Sequence, residues 1–432
     1  MRSCIIWRGD EYMLLIKGGN IVGAPAGLTD ILVVGGKIAV ISENIDRITG
    51  MMFIDASGLI VAPGLVDMHV HFRDPGFEYK EDIITGADAA AAGGVTTCCC
   101  MPNTDPVADN AETVRYIVNK AKEASVTVLP YGAVTIGQQG GELTDFSALK
   151  AAGAIALSDD GKTIQNAGVM SSAMQKSYRE DLLIISHCED SGMVKDYAVN
   201  DGAVSRELGL PGRPAIAEEI MVERDAALAA ETGARVHIAH VSTAGSVEII
   251  RKAKAAGVKI TAETCPQYFS LTENEILTQG PLARVNPPLR TEKDVKAIIG
   301  GLADSTIDVI ATDHAPHSVQ EKALPLEQAP SGMIGLETSL ALALTKLYHT
   351  GKLKMDKIIA LMSVNPARIL DIDAGLMSTG AFADLVIFDP DEEWTVDPER
   401  FMSKARNTPY AGMKLRGKVK YTISHVVILY RG

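Results

Sequence analysis

At 432 residues the chain has room for one large domain plus a smaller one, with a sizeable core. Its composition, 47% hydrophobic and 22% charged with few aromatics, is that of a globular protein. A formal charge of −13 repels nucleic acid and anionic membranes, and no stretch approaches the ~20 apolar residues that span a bilayer, which excludes nucleic-acid binders and membrane-spanning proteins. An anionic substrate would need a local cationic pocket. Met1-Arg2-Ser3-Cys4 opens a mixed segment rather than a signal-peptide core, so a cytoplasmic protein is expected.

Residues 1–60 read as short strands punctuated by glycine: Tyr12–Lys17, Ile31–Val34 and Lys37–Ser42, with turns at Gly18-Gly19-Asn20 and Gly35-Gly36. The C-terminal end has the same texture, with one strand over Ala383–Asp389 and at least one more between Gly417 and Leu429. One small β-sandwich domain, built from residues 1–60 and 371–432, is therefore expected to flank a different middle, residues 61–370.

In that middle, apolar runs alternate with Ala-rich stretches of helical period, the rhythm of βα units. The runs are Leu59–His71, Val95–Met101, Val126–Thr135, Ala154–Ser158, Leu182–Cys188, Arg235–Ser242, Val258–Glu263 and Ile307–Asp313. Helices are expected over Glu81–Ala92, Thr113–Ala124, Ala215–Thr232, Ser246–Ala256 and Glu292–Leu302. Eight such strands give the count of an α/β (β/α)8 TIM barrel; a doubly wound open sheet is the alternative, but the first βα turn lacks G-x-G-x-x-G. Cysteines stand at 4, 98, 99, 100, 188 and 265. The consecutive three alternate in direction along a strand and cannot converge on one ion, so they read as buried thiols.

A barrel of this kind places its chemistry at the C-terminal ends of the strands, and polar residues stand there. His69 and His71, two apart on one strand, can aim both rings at one point. Arg73 follows, and later runs stop at Asn103, Asp159-Asp160, His187-Cys188-Glu189, His240 and Asp313-His314. Imidazole and carboxylate together suit Zn²⁺, with an open position for chemistry.

The Asp67–Gly76 stretch DMHVHFRDPG, MPNT at Met101–Thr104, VNPPLR at Val285–Arg290 and DHAPH at Asp313–His317 together resemble the class I dihydroorotases of the amidohydrolase superfamily, over nearly the whole chain. The resemblance implies that His69, His71, Asp160, His187, His240 and Asp313 ligate or adjoin one or two zinc ions, with Asp313 also the general acid/base. It implies cyclic-amide hydrolysis interconverting N-carbamoyl-L-aspartate and L-dihydroorotate in de novo pyrimidine biosynthesis, with metal-activated hydroxide attacking the ring amide. A homodimer and association with another pyrimidine-pathway enzyme are family-level expectations. Hydantoinase-like relatives carry a carbamylated lysine after strand four; Asp160 stands there, with Lys162 as a rival two residues on.

The substrate carries a carboxylate beside a cyclic imide. Arg73 can fork the carboxylate, Asn103 and His317 can add donors, and Asn286 can meet ring amide groups. Asn103 and Asn286 have a second reading as loop-shaping residues beside proline, and Arg73 as an exposed partner of Asp74 or Glu78. Gln267 and Ser331 depart from the family pattern. Residues 318–332 form a long loop able to act as a lid. Gly351–Met355 reads as a surface turn and Asn365-Pro366-Ala367-Arg368 as a helix cap. The rivals are an allantoinase or hydantoinase/dihydropyrimidinase-type enzyme, a catalytically silent scaffold and a structural zinc protein. Arg73 opposes the first, and the complete ligand set opposes the second.

Overall fold

The computed structural model describes residues 13–25, 27–195 and 197–432; Cys4, and Tyr12 at the head of the first expected strand, lie outside them. Each expected apolar run overlaps a short parallel strand. These are β1 (Leu65–Val70), β2 (Val95–Cys100), β3 (Thr127–Pro130), β4 (Ala156–Ser158), β5 (Leu183–Ser186), β6 (Val236–Ile238), β7 (Ile260–Thr264) and β8 (Val309–Ile310). The continuous ladders make two sheets, β1-β2-β3 and β4-β5-β6-β7-β8. Single parallel bridges, Gly132 to Leu157 and Val70 to His314, join their edges.

Every residue of β1, β2, β4, β5, β6 and β8 is buried, the state in which a parallel strand reads as a nearly continuous apolar run. Alternation, broken on β1 by irregularities between Leu65 and Val66 and between Asp67 and Val70, sorts these side chains into two cores. Met68, Cys99, Tyr131, Ala156, Leu183, Ile185 and Val309 pack together on one face. Leu65, Val70, Cys98, Cys100, Leu157, Ile184 and Val236 pack on the other, against helical residues such as Ala87, Ile117 and Met174. The three adjacent cysteines are thus divided between the cores, and burial pushes all three thiols above their ordinary range.

The helices start where a side chain can satisfy their free amides. Asp82 accepts from Ile84 and Thr85 ahead of Ile83–Ala92, and Asn166 caps Ala167–Glu180. Asn110 caps Ala111–Ala121, so that helix begins two residues before the expected Thr113. Asn365–Leu370 is a correction: it continues the helical turns of residues 355–364, with Pro366 and Ala367 buried, and Asn365 lies inside the helix rather than capping it. Proline is tolerated there because it falls in the first turn of its own segment.

The terminal segments build two further sheets. Met13–Lys17, Asp30–Val34, Lys37–Ser42 and Met52–Asp55 form one; Asn20–Ile21, Ile60–Pro63, Leu385–Thr395, Lys414–Ser424 and Val427–Arg431 form the other. Leu14, Ile16, Ile31, Ile54, Leu385, Ile387 and Ile423 share a core between them. The run Leu59–His71 is therefore not one strand. Ile60–Pro63 pairs with Leu385–Phe388, and Leu65 onward pairs with β2.

Gly64 makes the switch. Its N–H donates to Asp384 O (2.7 Å), and its carbonyl accepts from Ser363 Oγ (2.7 Å). A Cβ there would stand 2.1 Å from Oγ1 of buried Thr96. Gly64→Ala should therefore lower the unfolding free energy by about 1–3 kcal/mol, read as a shifted urea midpoint with an unchanged slope.

Candidate metal centre

The strand ends converge. His69 Nε2 lies 3.5 Å from Asp160 Oδ1 and 3.4 Å from Asp313 Oδ1; His71 Nε2 lies 3.4 Å from Asp160 Oδ2 and 3.0 Å from Asp313 Oδ1. From the other side, His240 Nε2 and His187 Nδ1 approach Asp160 Oδ1 at 3.3 and 3.6 Å, and stand 2.7 Å from each other. All six side chains named from the sequence are buried here. Two triads result, His69/His71/Asp160 and Asp160/His187/His240, with ligand atoms in each within 4.8 Å of one another. Asp160 belongs to both.

The backbone is bent to achieve this. Arg73, His240 and Asp313 adopt φ values of 64°, 35° and 49°. Such left-handed turns cost non-glycine residues about 1–3 kcal/mol each and persist where the surroundings impose them. Asp67 braces the turn: its Oδ1 accepts from His69 N (3.1 Å) and Thr312 N (3.2 Å), joining the end of β1 to the end of β8. His314 braces it from behind, its Nδ1 facing the amides of Gly335 and Leu336 and its Nε2 3.6 Å from Glu81.

The rings are oriented from outside the cluster. Glu263 Oε1 lies 2.5 Å from His69 Nδ1, and Asn103 Oδ1 lies 2.9 Å from His71 Nδ1. Each takes the Nδ1 proton and leaves the Nε2 lone pair facing inward, the tautomer a metal requires. His237, 3.3 Å from Glu263 Oε2, holds that carboxylate in turn. Glu263 had no distinguishing signal in the sequence beyond ending an apolar run. A carboxylate inside a buried strand was the clue that could have found it.

The cluster calls for positive charge. Burial alone would raise Asp160, yet the neighbouring rings of His69, His187 and His240 hold it well below the carboxylate range. Burial opposes protonation of His69, but Glu263, Asp160 and Asp313 outweigh it and raise its pKa. His69 Nε2 and Asp160 Oδ1 are buried and lack hydrogen-bond partners while facing one another. An imidazole and carboxylate donor set with such orphaned atoms fits a divalent transition metal.

Beside the cluster, Arg73 is half-buried, with Nε donating to Pro316 O (3.3 Å) and Nη2 3.5 Å from His317 Nε2. Among the described residues it forms no ion pair with Asp74 or Glu78; Asp74 instead accepts from Tyr116 Oη at 2.9 Å. His317 Nε2 lies 2.9 Å from Ser331 O, so that nitrogen carries the proton. Burial and the charge of Arg73 push His317 down to about 2. Its ring is therefore neutral, and Nδ1, buried without a hydrogen bond 3.8 Å from Glu321 Oε2, is an acceptor where the sequence suggested a donor.

Asn286 is engaged on both sides: Oδ1 accepts from Arg213 Nη1 (2.5 Å), and Nδ2 faces His187 Nε2 (3.4 Å) and Glu189 Oε2 (3.5 Å). Arg213, which also pairs with Glu189 at 2.6 Å, escaped the sequence reading because it sits on a two-residue strand without periodicity. Lys162 is exposed, and it is Asp160 that reaches the cluster. Asp159 points elsewhere and accepts from the amides of Val134 and Thr135. Gln267 is buried, with Nε2 unpartnered.

Comparison with known proteins finds relatives over nearly the whole chain. Residues 58–246 match the family model described as dihydro-orotase-like. A dihydroorotase of Ruminiclostridium cellulolyticum is 50% identical over 414 residues, spanning 95% of this chain and 96% of that protein. A dihydroorotase of Clostridium acetobutylicum is 50% identical over 421 residues, spanning 97% and 99%. Among solved structures, L-hydantoinase (dihydropyrimidinase) from Arthrobacter aurescens superposes with a TM-score of 0.84 at 26% identity, covering 96% of this chain and 95% of that one. The chain belongs to the dihydroorotase family of amidohydrolases.

Proposed function

We propose that this protein is a zinc-dependent dihydroorotase that interconverts L-dihydroorotate and N-carbamoyl-L-aspartate in de novo pyrimidine biosynthesis. Identity of 50% with dihydroorotases over nearly the full length, against 26% with the hydantoinase, supports it. The observation that carries it is Arg73, a guanidinium without a carboxylate partner among the described residues, beside a buried His/Asp cluster. Neutral hydantoins and dihydropyrimidines have no group that requires this cation.

In this reading the eight strands are a (β/α)8 barrel, supported by the two bridges that join its ladders, and the sheets of the terminal segments (residues 1–60 and 371–432, around 61–370) are a β-sandwich sharing one core. The setting is cytoplasmic and the working unit a homodimer, both by family likeness. Among the described residues no helix is long and apolar enough to cross a membrane.

His69, His71 and Asp160 would hold one zinc ion; Asp160, His187 and His240 offer a second position. Bound zinc supplies Lewis acidity, polarising the ring carbonyl and making water a nucleophile near neutral pH. Asp313, 3.0 Å from His71 Nε2, takes a proton from the attacking water and delivers it to the ring nitrogen as the C–N bond breaks. Cyclisation reverses these transfers.

Arg73 binds the substrate carboxylate. Asn103, whose Oδ1 is committed to His71, presents its Nδ2 as a further donor, and His317 Nδ1 accepts from a ring N–H. Asn286 lines the His187 side with its oxygen held by Arg213. The segment 318–332 closes over the substrate; Lys80 and Tyr79 meet its Glu321 at 2.9 and 3.2 Å.

Purified protein assayed on L-dihydroorotate, allantoin and dihydrouracil, with and without added Zn²⁺, should turn over dihydroorotate alone. Turnover of allantoin alone would refute the assignment. Asp313→Asn should cut kcat by about 10²–10⁴-fold with an unaltered circular-dichroism spectrum. Arg73→Met should raise KM for dihydroorotate by about tenfold or more, and an unchanged KM would count against its role.

A further inference from the structure

A second cavity, of about 640 Å³, shares none of its lining residues with the metal cluster. It lies where the C-terminal end of helix Ile83–Ala92 and the start of helix Ser339–Ala343 meet the hairpin of Leu385–Thr395 and Lys414–Ser424. Its volume falls within the range of about 300–1,000 Å³ typical of small-molecule sites. Three aromatic side chains, Trp394, Phe401 and Tyr430, contribute to the wall. Trp394 is fixed by its Nε1–H, which donates to Gly417 O at 2.9 Å.

Two cations reach the same space, Lys418 and Arg400. Lys418 Nζ stands 5.7 Å from the Trp394 ring centroid. The neighbouring Lys420 and Arg416 are paired with Glu392 and Glu393, whereas among the described residues Lys418 and Arg400 have no carboxylate partner. Both cations stand on a wall that also carries Glu337 and Asp397.

The acids of the wall oppose an anion only weakly. Glu337 accepts from Met402 N (2.9 Å) and Ser403 N (3.2 Å), and burial pushes its pKa up to about 7. Asp397 is exposed and caps the turn at Glu399 N (3.1 Å).

We propose that this cavity binds a planar aromatic anion, with its ring among Trp394, Phe401 and Tyr430 and its acidic group on Lys418 and Arg400. Aromatic faces supply the contact area, and the cations select against neutral rings. The binding is separate from the hydrolytic site.

The test uses 1-anilinonaphthalene-8-sulfonate as probe and its neutral relative N-phenyl-1-naphthylamine as control, on the full-length enzyme by equilibrium dialysis. One sulfonate should bind per chain, about tenfold more tightly than the neutral ring. Lys418→Gln and Arg400→Gln should each weaken the sulfonate by about five- to tenfold while leaving the neutral ring and dihydroorotate turnover unchanged; retained turnover certifies the fold. Absence of binding, equal affinity for the two probes, indifference to both substitutions, or displacement by dihydroorotate would each overturn the proposal.

Discussion

Three buried carboxylates surrounding one imidazole are the constraint from which the rest of the site follows. Glu263 holds His69 by Nδ1, while Asp160 and Asp313 stand 3.5 and 3.4 Å from its Nε2. Removing such charges from water costs several kcal/mol each unless a counter-charge is supplied. In the protein alone, the three carboxylates outweigh burial and raise the pKa of His69. A divalent cation would supply more charge at the same point and engage the lone pairs that Glu263 and Asn103 have turned inward.

This arrangement dictates local backbone strain. Arg73, His240 and Asp313 are held at positive φ because each must turn its side chain across the ends of the strands. The strain is distributed over buried braces. Asp67 ties β1 to the Thr312 amide, and Glu81 faces His314 while accepting from Thr85 and Ser403. The same turn at Arg73 carries its guanidinium to the rim, beside neutral His317. One strand end thus supplies two inward-facing imidazoles and, at the rim, a guanidinium without a carboxylate partner among the described residues.

Much of this was legible in the amino-acid sequence, for physical reasons. Strands buried on both faces read as apolar runs, and polar residues at their ends are conspicuous by contrast, so His69, His71, Asp160, His187, His240 and Asp313 stood out. What escaped notice depends on tertiary contact. Glu263 looked like the end of a run, although its partners lie on β1 and β6. Arg213 sits on a two-residue strand and reaches Asn286 across 73 positions of sequence. The break at Gly64 was hidden because both halves of the run are apolar, and only their pairing partners differ. The proton position on His317 needed the Ser331 carbonyl, 14 residues away, to be seen.

The proposed chemistry requires a metal ion where the strand-end imidazoles meet Asp160. The most direct measurement is anomalous X-ray scattering at the zinc edge from crystals of catalytically active, zinc-loaded protein. A peak is expected between His69 Nε2, His71 Nε2 and the Asp160 carboxylate. Active crystals with no anomalous density at that point would contradict it.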